Sequence, residues 1–198
     1  MKILLGMPCV HEIPTQTVGS LIRIAKKGVV EPLLVEGSLI YDSRDYIAKV
    51  AIKEDFDYVL YADSDMIFAP EDLERLLAHN VGICSGLYVT RRGENRNVLY
   101  EEVITRRRFP YRAPKLIHDA QESGFGRVAA CGFGFVLIKT SVLKTMYKYY
   151  KSLFEPFSGV GEDIAFCLRA RRVGFYTFAD RDVKLGHIGE TIFTKKEE

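Results

Sequence analysis

Two acidic residues that could bind a metal ion follow directly on an apolar stretch of the chain. The sequence YVLYADSDM places Asp63 and Asp65 one residue apart. Side chains at positions i and i+2 of an extended chain point the same way, so each carboxylate would raise the pKa of the other. A hard divalent cation such as Mg²⁺ or Mn²⁺ prefers oxygen ligands and would remove that repulsion. The alternative is that both acids are solvated turn residues that cap a helix starting near Pro70.

Two further stretches place polar side chains beside glycines. Glu162 and Asp163 follow two glycines in GVGEDIAFCLRARRVG, where a helix is predicted to start. The simplest interpretation is that acids in a first turn stabilise the helix dipole. His187 lies between glycines in DVKLGHIGE, just past a predicted strand, and glycines let backbone and ligand approach closely. A single histidine near a strand end is also typical of a purely structural role.

Predicted strands and helices alternate along most of the chain, because short apolar runs are followed by runs with apolar residues at helical spacing. The predicted strands are KILLGMP, VVEPLLVEGS, DYVLYAD, VGICSGLY, GRVAACGFGFVLIK and FYTFADRDV. The predicted helices start at TQTVG, SRDYI, APEDL, SVLKT and GEDIA, with Thr15 as a candidate cap of the first. This order predicts an α/β protein with a mainly parallel central sheet flanked by helices. Such sheets bind ligands at the carboxyl ends of their strands, where Asp63 and Asp65 lie.

The composition is that of an ordinary globular protein. The chain has 198 residues, of which 47% are hydrophobic, and a formal net charge of +2. This length predicts one domain, residues 1–198, and the near balance of charge argues against a dedicated nucleic-acid binder. The first apolar run stops at Pro8 without a cleavage site, and no run approaches the roughly 20 apolar residues that span a bilayer. Four scattered cysteines predict reduced thiols and a cytoplasmic location.

Residues 90–123 interrupt the alternation of strands and helices. The segment has no clear period, which predicts a long irregular excursion. Its arginines outnumber its acids and are Arg91, Arg92, Arg96, Arg106, Arg107, Arg108 and Arg112. The segment is either a solvated loop or a flap that binds an anionic acceptor or closes over a diphosphate, because arginine forks suit phosphates. Peripheral contact with an anionic membrane is a third interpretation.

In chain order, these motifs resemble the GT-A type nucleotide-sugar glycosyltransferases, particularly their inverting, family-2-like group. The resemblance extends over nearly the whole chain. MPCVHE is similar to P-x-Y-N-E, LLVEGS to V-D-D-G-S, SRDYIAKVA to A-R-N-x-A, and YVLYADSDM to an apolar strand followed by D-x-D. The resemblance implies a Rossmann-like GT-A fold. The residues that it places at the nucleotide-sugar donor are Pro8, Glu12, Glu36, Arg44, Asp63, Ser64 and Asp65.

The second half of the chain carries the remaining motifs of that family. ACGFGFVLIKTSVL is similar to its glycine-rich strand before the acceptor helix, and GEDIAFCLRARRVG to E-D-x-x-x-x-x-R-x-x-x-x-G. The resemblance implies that Asp163 is the catalytic base and that Gly132 and Glu162 contact the acceptor. The side chains implied to hold Mn²⁺ or Mg²⁺ are Asp63, Asp65 and His187.

The implied reaction moves one sugar from a nucleoside-diphosphate sugar, expected to be a UDP-sugar, to an acceptor hydroxyl. Inversion follows from direct displacement, with Asp163 accepting the hydroxyl proton. A helix N-terminus would tend to keep the pKa of Asp163 low, so the base must gain strength from the closed, desolvated complex. The chain has no tryptophan and so lacks the Q-x-x-R-W motif of processive synthases, which predicts single-sugar addition. The motifs leave the acceptor open among a glycan, a lipid-linked group and a protein. The departures that leave the nucleotide base open are His11, Val35, Glu36 and Asp45.

Three other protein classes deserve comparison with these motifs. A sugar-nucleotidyltransferase shares an α/β core and metal-binding aspartates, but its glycine-rich loop with Arg and Lys is not seen in GMPCVHEIPT. A haloacid-dehalogenase type phosphatase carries D-x-D after its first strand rather than its third. A non-catalytic module that binds a nucleotide or a carbohydrate, with purely structural acids, is the remaining alternative.

Overall fold

The computed structural model describes residues 1–10, 12–90, 96–104, 115–157 and 159–189. Strands and helices alternate through the first half of the chain, as the sequence predicts. The helices are α1 (Thr15–Ala25), α2 (Ile40–Lys53), α3 (Pro70–Ala78), α4 (Thr140–Met146) and α5 (Glu162–Arg172). The strands are β1 (Ile3–Cys9), β2 (Val30–Glu36), β3 (Tyr58–Ala62), β4 (Met66–Ile67), β5 (Ile83–Leu87), β6 (Leu99–Ile104), β7 (Lys115–His118), β8 (Phe125–Val128), β9 (Ala130–Cys131), β10 (Phe135–Lys139), β11 (Thr177–Lys184) and β12 (Gly186–His187).

Seven strands form the central sheet, in the order β2-β1-β3-β10-β5-β11-β8, so that β2 and β8 are its edges. Parallel pairing joins β2 to β1, β1 to β3, and β5 to β11. Strand β10 is antiparallel to both of its neighbours, and β8 is antiparallel to β11. Five of the seven strands therefore run in one direction, which confirms the predicted mainly parallel sheet flanked by helices.

Both faces of the sheet are buried, as alternation along β1 illustrates. Ile3 and Leu5 face the core that contains residues of α1 and α3, whereas Leu4 faces the core that contains residues of α2, α4 and α5. Alternate side chains of a strand point to opposite faces, so helices on both sides require an almost continuous apolar strand. A Cβ atom on Gly6 would lie 2.2 Å from Cγ2 of Ile47, so this glycine allows α2 to pack directly on β1.

The helix ends differ in detail from the sequence prediction. Pro14 is the N-cap residue of α1 and Thr15 is its first helical residue, without a side-chain capping bond, so the predicted Thr15 cap is wrong. Helix α2 begins at Ile40, three residues before the predicted start at Ser43. No helix in the described part of the chain is long and apolar enough to cross a membrane.

The described residues of the segment 90–123, which are 90, 96–104 and 115–123, are more regular than the sequence predicts. Strands β7, β6 and β9 form a second, antiparallel sheet, in which Leu99 lies opposite Cys131. The buried ion pair of Asp119 with Arg181 joins the end of this segment to β11. The partners are far apart in sequence, and a search for local periodicity cannot detect such pairing. Of the arginines in the predicted flap, Arg96 is described and the other six lie outside the described residues, so the flap stays a prediction.

Candidate active site

A cleft of about 640 Å³ opens at the carboxyl edge of the central sheet. The parallel strands β1, β3, β5 and β11 all end at this edge, and β10 begins there because it is antiparallel. The sheet therefore brings together segments that are far apart in the chain. The described lining consists of Pro8, Cys9, Val10, Ser38, Ile40, Asp63, Ser64, Asp65, Tyr88, Thr90, Val98, Tyr100, Gly132, Asp163 and His187.

The chain turns inside the D-x-D motif instead of staying extended. The backbone N–H of Met66 donates to the carbonyl of Asp63 at 3.2 Å, which closes a turn through Ser64 and Asp65. The expectation that both carboxylates point the same way depended on an extended chain, and this turn does not provide one. Neither acid caps α3, because the N–H of Ala69 at its N-cap donates to Asp72 at 2.7 Å. Asp63 and Asp65 instead contact different partners.

Asp63 belongs to a buried charge cluster centred on Arg44. The guanidinium donates to Asp63 Oδ1 at 2.8 Å and to Glu162 Oε1 at 2.6 Å, and its side chain is only 2% exposed. The Phe133 ring lies 5.3 Å from the guanidinium carbon. Arg44 therefore connects the end of β3 to the start of α5 from behind the cleft. Its predicted contact with the donor, and that of Glu162 with the acceptor, stay predictions.

Asp163 lines the cleft beside this cluster, and its pKa is raised to about 6. Burial of the carboxylate is the largest cause, and the charge of Glu162 adds to it. Arg44 and the N–H of Ile164, which donates to Oδ1 at 2.7 Å, lower the pKa but do not offset burial. Desolvation therefore outweighs the helix dipole, which alone would keep the pKa of Asp163 low. At pH 7 the group is still mostly ionised and basic enough to accept a proton.

Asp65 faces His187 across the mouth of the cleft. Pairing of β12 with β4 places His187 opposite Met66, and Asp65 Oδ1 lies 3.4 Å from His187 Nε2. The other ring nitrogen, Nδ1, lies 2.7 Å from the carbonyl of Val89. A carbonyl can only accept, so Nδ1 carries a hydrogen. Nε2 therefore either carries a proton towards Asp65 or presents its lone pair to a cation that both side chains share.

The geometry of Asp65 and His187 suits two ligands of one divalent cation. Two ligand atoms at about 2.1 Å from a cation and at a right angle are about 3.0 Å apart, close to the observed spacing. The Nδ1 contact fixes the ring as in many metal-bound histidines. Within the described residues, no group of three or more His, Cys, Asp and Glu side chains is arranged to hold a metal ion. Asp63 is bound to Arg44, so its role as a third ligand stays a prediction.

The remaining predicted donor and acceptor residues divide into two groups. Pro8, Ser64 and Gly132 lie in the wall of the cleft. Glu12 and Glu36 are exposed and are not part of its described lining. Glu36 pairs in register with Cys9, which does line the cleft, so the backbone of Glu36 lies one strand away from the site.

Several cleft residues were not predicted from the sequence, and two of them are tyrosines. Tyr88 follows β5, and its position at the end of a predicted strand is a signal that could have identified it. Tyr100 lies on β6, in the segment predicted to be irregular, and burial raises its pKa to about 12. The other additions are Cys9, Val10, Ser38, Ile40, Thr90 and Val98.

Comparison with protein-family models and with curated proteins finds no match for this chain. Among solved structures, the chain is similar to A197 from STIV, with a TM-score of 0.64 and 18% sequence identity. That similarity covers 100% of this chain and 99% of A197. The chain is also similar to GalNAc-T7, solved with UDP, GalNAc and Mn²⁺, with a TM-score of 0.62 and 10% identity. Here the match covers 94% of this chain but only 43% of GalNAc-T7.

Similarity at these identities establishes the fold and not the activity. The chain has a glycosyltransferase-like α/β fold, with the arrangement of sheet and helices that the motifs predict. This chain spans less than half the length of GalNAc-T7, so the similarity concerns only that part of GalNAc-T7.

Proposed function

We propose that this protein is a metal-dependent, inverting glycosyltransferase that moves one sugar from a nucleoside-diphosphate sugar to an acceptor hydroxyl. The observation that carries the proposal is the convergence of Asp63, Asp65, Asp163 and His187 on one cleft at the carboxyl edge of the sheet. A protein that only bound a nucleotide would not need a half-buried carboxylate with a raised pKa, such as Asp163, in its binding cleft.

The donor's diphosphate would lie at Asp65 and His187, at the mouth of the cleft. A Mn²⁺ or Mg²⁺ ion bound there would neutralise the charge that develops on the departing diphosphate. The imidazole ligand favours Mn²⁺, because nitrogen is a softer ligand than the oxygens that Mg²⁺ prefers. In this arrangement Asp65 and His187 would orient the leaving group. Pro8, which lines the cleft, and Glu36, which pairs with Cys9, would contact the nucleoside.

Asp163 would act as the base on the acceptor side of the cleft. The acceptor oxygen forms a bond to the anomeric carbon while the bond from that carbon to the diphosphate oxygen breaks. The electron pair leaves with the diphosphate, and the hydroxyl proton moves to Asp163. Attack opposite the leaving group inverts the anomeric configuration. Arg44 forms ion pairs with both Glu162 and Asp63 and so compensates their charges beside the base.

The similarity to GalNAc-T7 supports a UDP-sugar as the donor and Mn²⁺ as the metal, because the solved structure of that protein contains UDP, GalNAc and Mn²⁺. Nothing in the described cleft selects among a glycan, a lipid-linked group and a protein as acceptor. The cytoplasmic location and the absence of a nucleic-acid partner also remain predictions.

The proposal is tested by calorimetric titration of UDP, GDP, CDP, ADP and dTDP in the presence and absence of Mn²⁺. We expect one nucleotide to bind at least tenfold more tightly with Mn²⁺, and Asp65→Asn to abolish this difference because it removes a metal ligand. The matched control is Asp55→Asn, since the Asp55 side chain is 88% exposed and precedes β3 at the opposite end of the sheet.

Slow release of the nucleoside diphosphate from the matching nucleotide-sugar would distinguish a transferase from a binding module, which would leave the donor intact. Formation of pyrophosphate from a nucleoside triphosphate and a sugar phosphate would instead indicate a sugar-nucleotidyltransferase. Equal nucleotide affinity with and without Mn²⁺ in the wild type would rule out the metal site.

A further inference from the structure

Tyr88 lies on the floor of the cleft, against a pair of glycines. It is 6% exposed and follows β5, while Gly132 and Gly134 precede β10. A Cβ atom on Gly132 would lie 2.4 Å from the Tyr88 hydroxyl oxygen, and one on Gly134 would lie 2.6 Å from Cζ. Real Cβ atoms do not approach so closely, so both positions must lack a side chain for this ring to fit. The ACGFGF motif therefore makes room for a tyrosine that is distant in sequence.

The Tyr88 hydroxyl has a defined orientation. The backbone N–H of Gly134 donates to its oxygen at 2.8 Å, and the carbonyl of Gly134 accepts from the N–H of Asp63 at 3.1 Å. A tyrosine hydroxyl that accepts one hydrogen bond still has its own proton to donate. None of the described residues accepts that proton. A buried donor of this kind is satisfied when a ligand or water oxygen occupies the cleft.

Tyr88 lines the same cleft as both halves of the proposed reaction site. The Tyr88 ring packs edge-on against His187, with the ring centroids 5.3 Å apart. Tyr88, His187 and Asp163 all line the same cleft. With the diphosphate at His187 and the acceptor at Asp163, in-line displacement places the transferred sugar between them.

We infer that the Tyr88 hydroxyl donates a hydrogen bond to a hydroxyl oxygen of the donor's sugar, and so helps to select and orient the sugar that is transferred. This inference rests on the proposed function. It assigns specificity to a residue that carries none of the predicted motifs. It also gives Gly132 a different part from the predicted acceptor contact, which is to accommodate Tyr88.

The test compares wild type with Tyr88→Phe in Mn²⁺-dependent binding of UDP, UDP-glucose, UDP-galactose and their N-acetylated forms. We expect Tyr88→Phe to weaken binding of the preferred UDP-sugar by about fivefold, as for one hydrogen bond, and that of UDP by less than about twofold. Tyr149→Phe is the matched control, because Tyr149 is exposed and lies outside the cleft lining. Should UDP not be the nucleotide that binds, the same series is made with the nucleotide identified above.

Monodeoxy forms of the preferred donor then separate contact from structure. We expect wild type and Tyr88→Phe to bind one monodeoxy donor equally, because the oxygen that receives the hydrogen bond is absent. A general structural effect would weaken all donors alike, and an equal loss for UDP would place the contact on the diphosphate. Either result overturns the inference while leaving the proposed function intact, whereas failure of every nucleotide to bind overturns both.

A second variant guards against misfolding of Tyr88→Phe, which leaves the Gly134 N–H without its acceptor. Gly132→Ala keeps the hydroxyl but displaces it, since the new Cβ would lie 2.4 Å from the oxygen. We expect the same selective loss of UDP-sugar affinity in a variant whose thermal unfolding remains cooperative. Retention of full sugar discrimination by Gly132→Ala would contradict the proposed contact.

Discussion

Replacing the proposed base should make the protein inactive and, at the same time, more stable at alkaline pH. The pKa of Asp163 is raised from 3.8 to about 6, mainly because the carboxylate is buried. Above pH 6, keeping the group ionised in the folded state costs about 1.4 kcal/mol for each unit by which the pKa is raised, or about 3 kcal/mol in total. Asp163 retains some solvent contact, which reduces the expected gain from Asp163→Asn to about 2 kcal/mol. For a chain of this length the melting temperature would rise by about 4–8 °C.

The pH dependence gives this prediction its sign. A carboxyl group whose folded pKa exceeds its unfolded pKa binds its proton more tightly in the folded state. Its contribution to stability is therefore complete below pH 3.8 and is lost as the pH rises through about 6. Asp163→Asn has no such dependence, so the difference in melting temperature between variant and wild type should be largest at pH 8 and should vanish towards pH 4.

Thermal unfolding of both proteins, followed by circular dichroism between pH 4.5 and 8, measures this difference. Asp55→Asn serves as the exposed control and should change the melting temperature little at any pH. In the wild type, kcat/KM for transfer should fall as the pH drops below about 6, because the protonated Asp163 can no longer accept a proton. An Asp163→Asn variant that is no more stable than wild type at pH 8, or a difference independent of pH, would refute the argument from burial.

Two further substitutions test the ion pairs around the site. Arg44→Met leaves Asp63 and Glu162 without their shared cation. Because both acids keep some solvent contact, we expect the free energy of unfolding, measured with urea, to fall by only about 3 kcal/mol. An unchanged unfolding midpoint would show that the cluster contributes little. Asp119→Asn leaves Arg181 buried beside a neutral amide, and we expect amide hydrogen exchange to become faster in β7 while it changes little in β1. An equal increase in the exchange rates of both strands would contradict a local role for this ion pair.

The central fold was predictable because its signals are local. Apolar runs such as the one from Ile3 to Cys9, followed by amphipathic helices, require an α/β sheet whichever way the loops run. The same reasoning places Asp63 and Asp65 at the carboxyl edge of the sheet, because they directly follow the last residue of a parallel strand. The motif residues Asp163 and His187 reach the same cleft because α5 starts and β11 ends at that edge.

The contacts inside the cleft were not predictable, because they depend on pairs of residues far apart in the chain. Asp63 contacts Arg44 and Asp65 contacts His187 because the chain turns between them, and the sequence D-S-D does not predict this turn. The raised pKa of Asp163 results from burial by surrounding elements, whereas its sequence position indicates only the opposing effect of the helix N-terminus. Tyr88 is part of the site only because β10 inserts next to β5 and presents its glycines to the ring.

The edge strand β2 also affects how copies of this chain can associate. An unprotected edge of a sheet offers backbone donors and acceptors to any extended chain, and this is a common route to aggregation. In β2, Pro32 has no N–H to donate to an incoming strand, and the exposed side chains of Glu31 and Glu36 would meet like charges on a second copy in register. These three residues disfavour continuation of the sheet from one molecule into the next, even though Leu34 between them is 50% exposed. The strand that pairs with β1 beside the cleft therefore also protects the protein against strand-to-strand self-association.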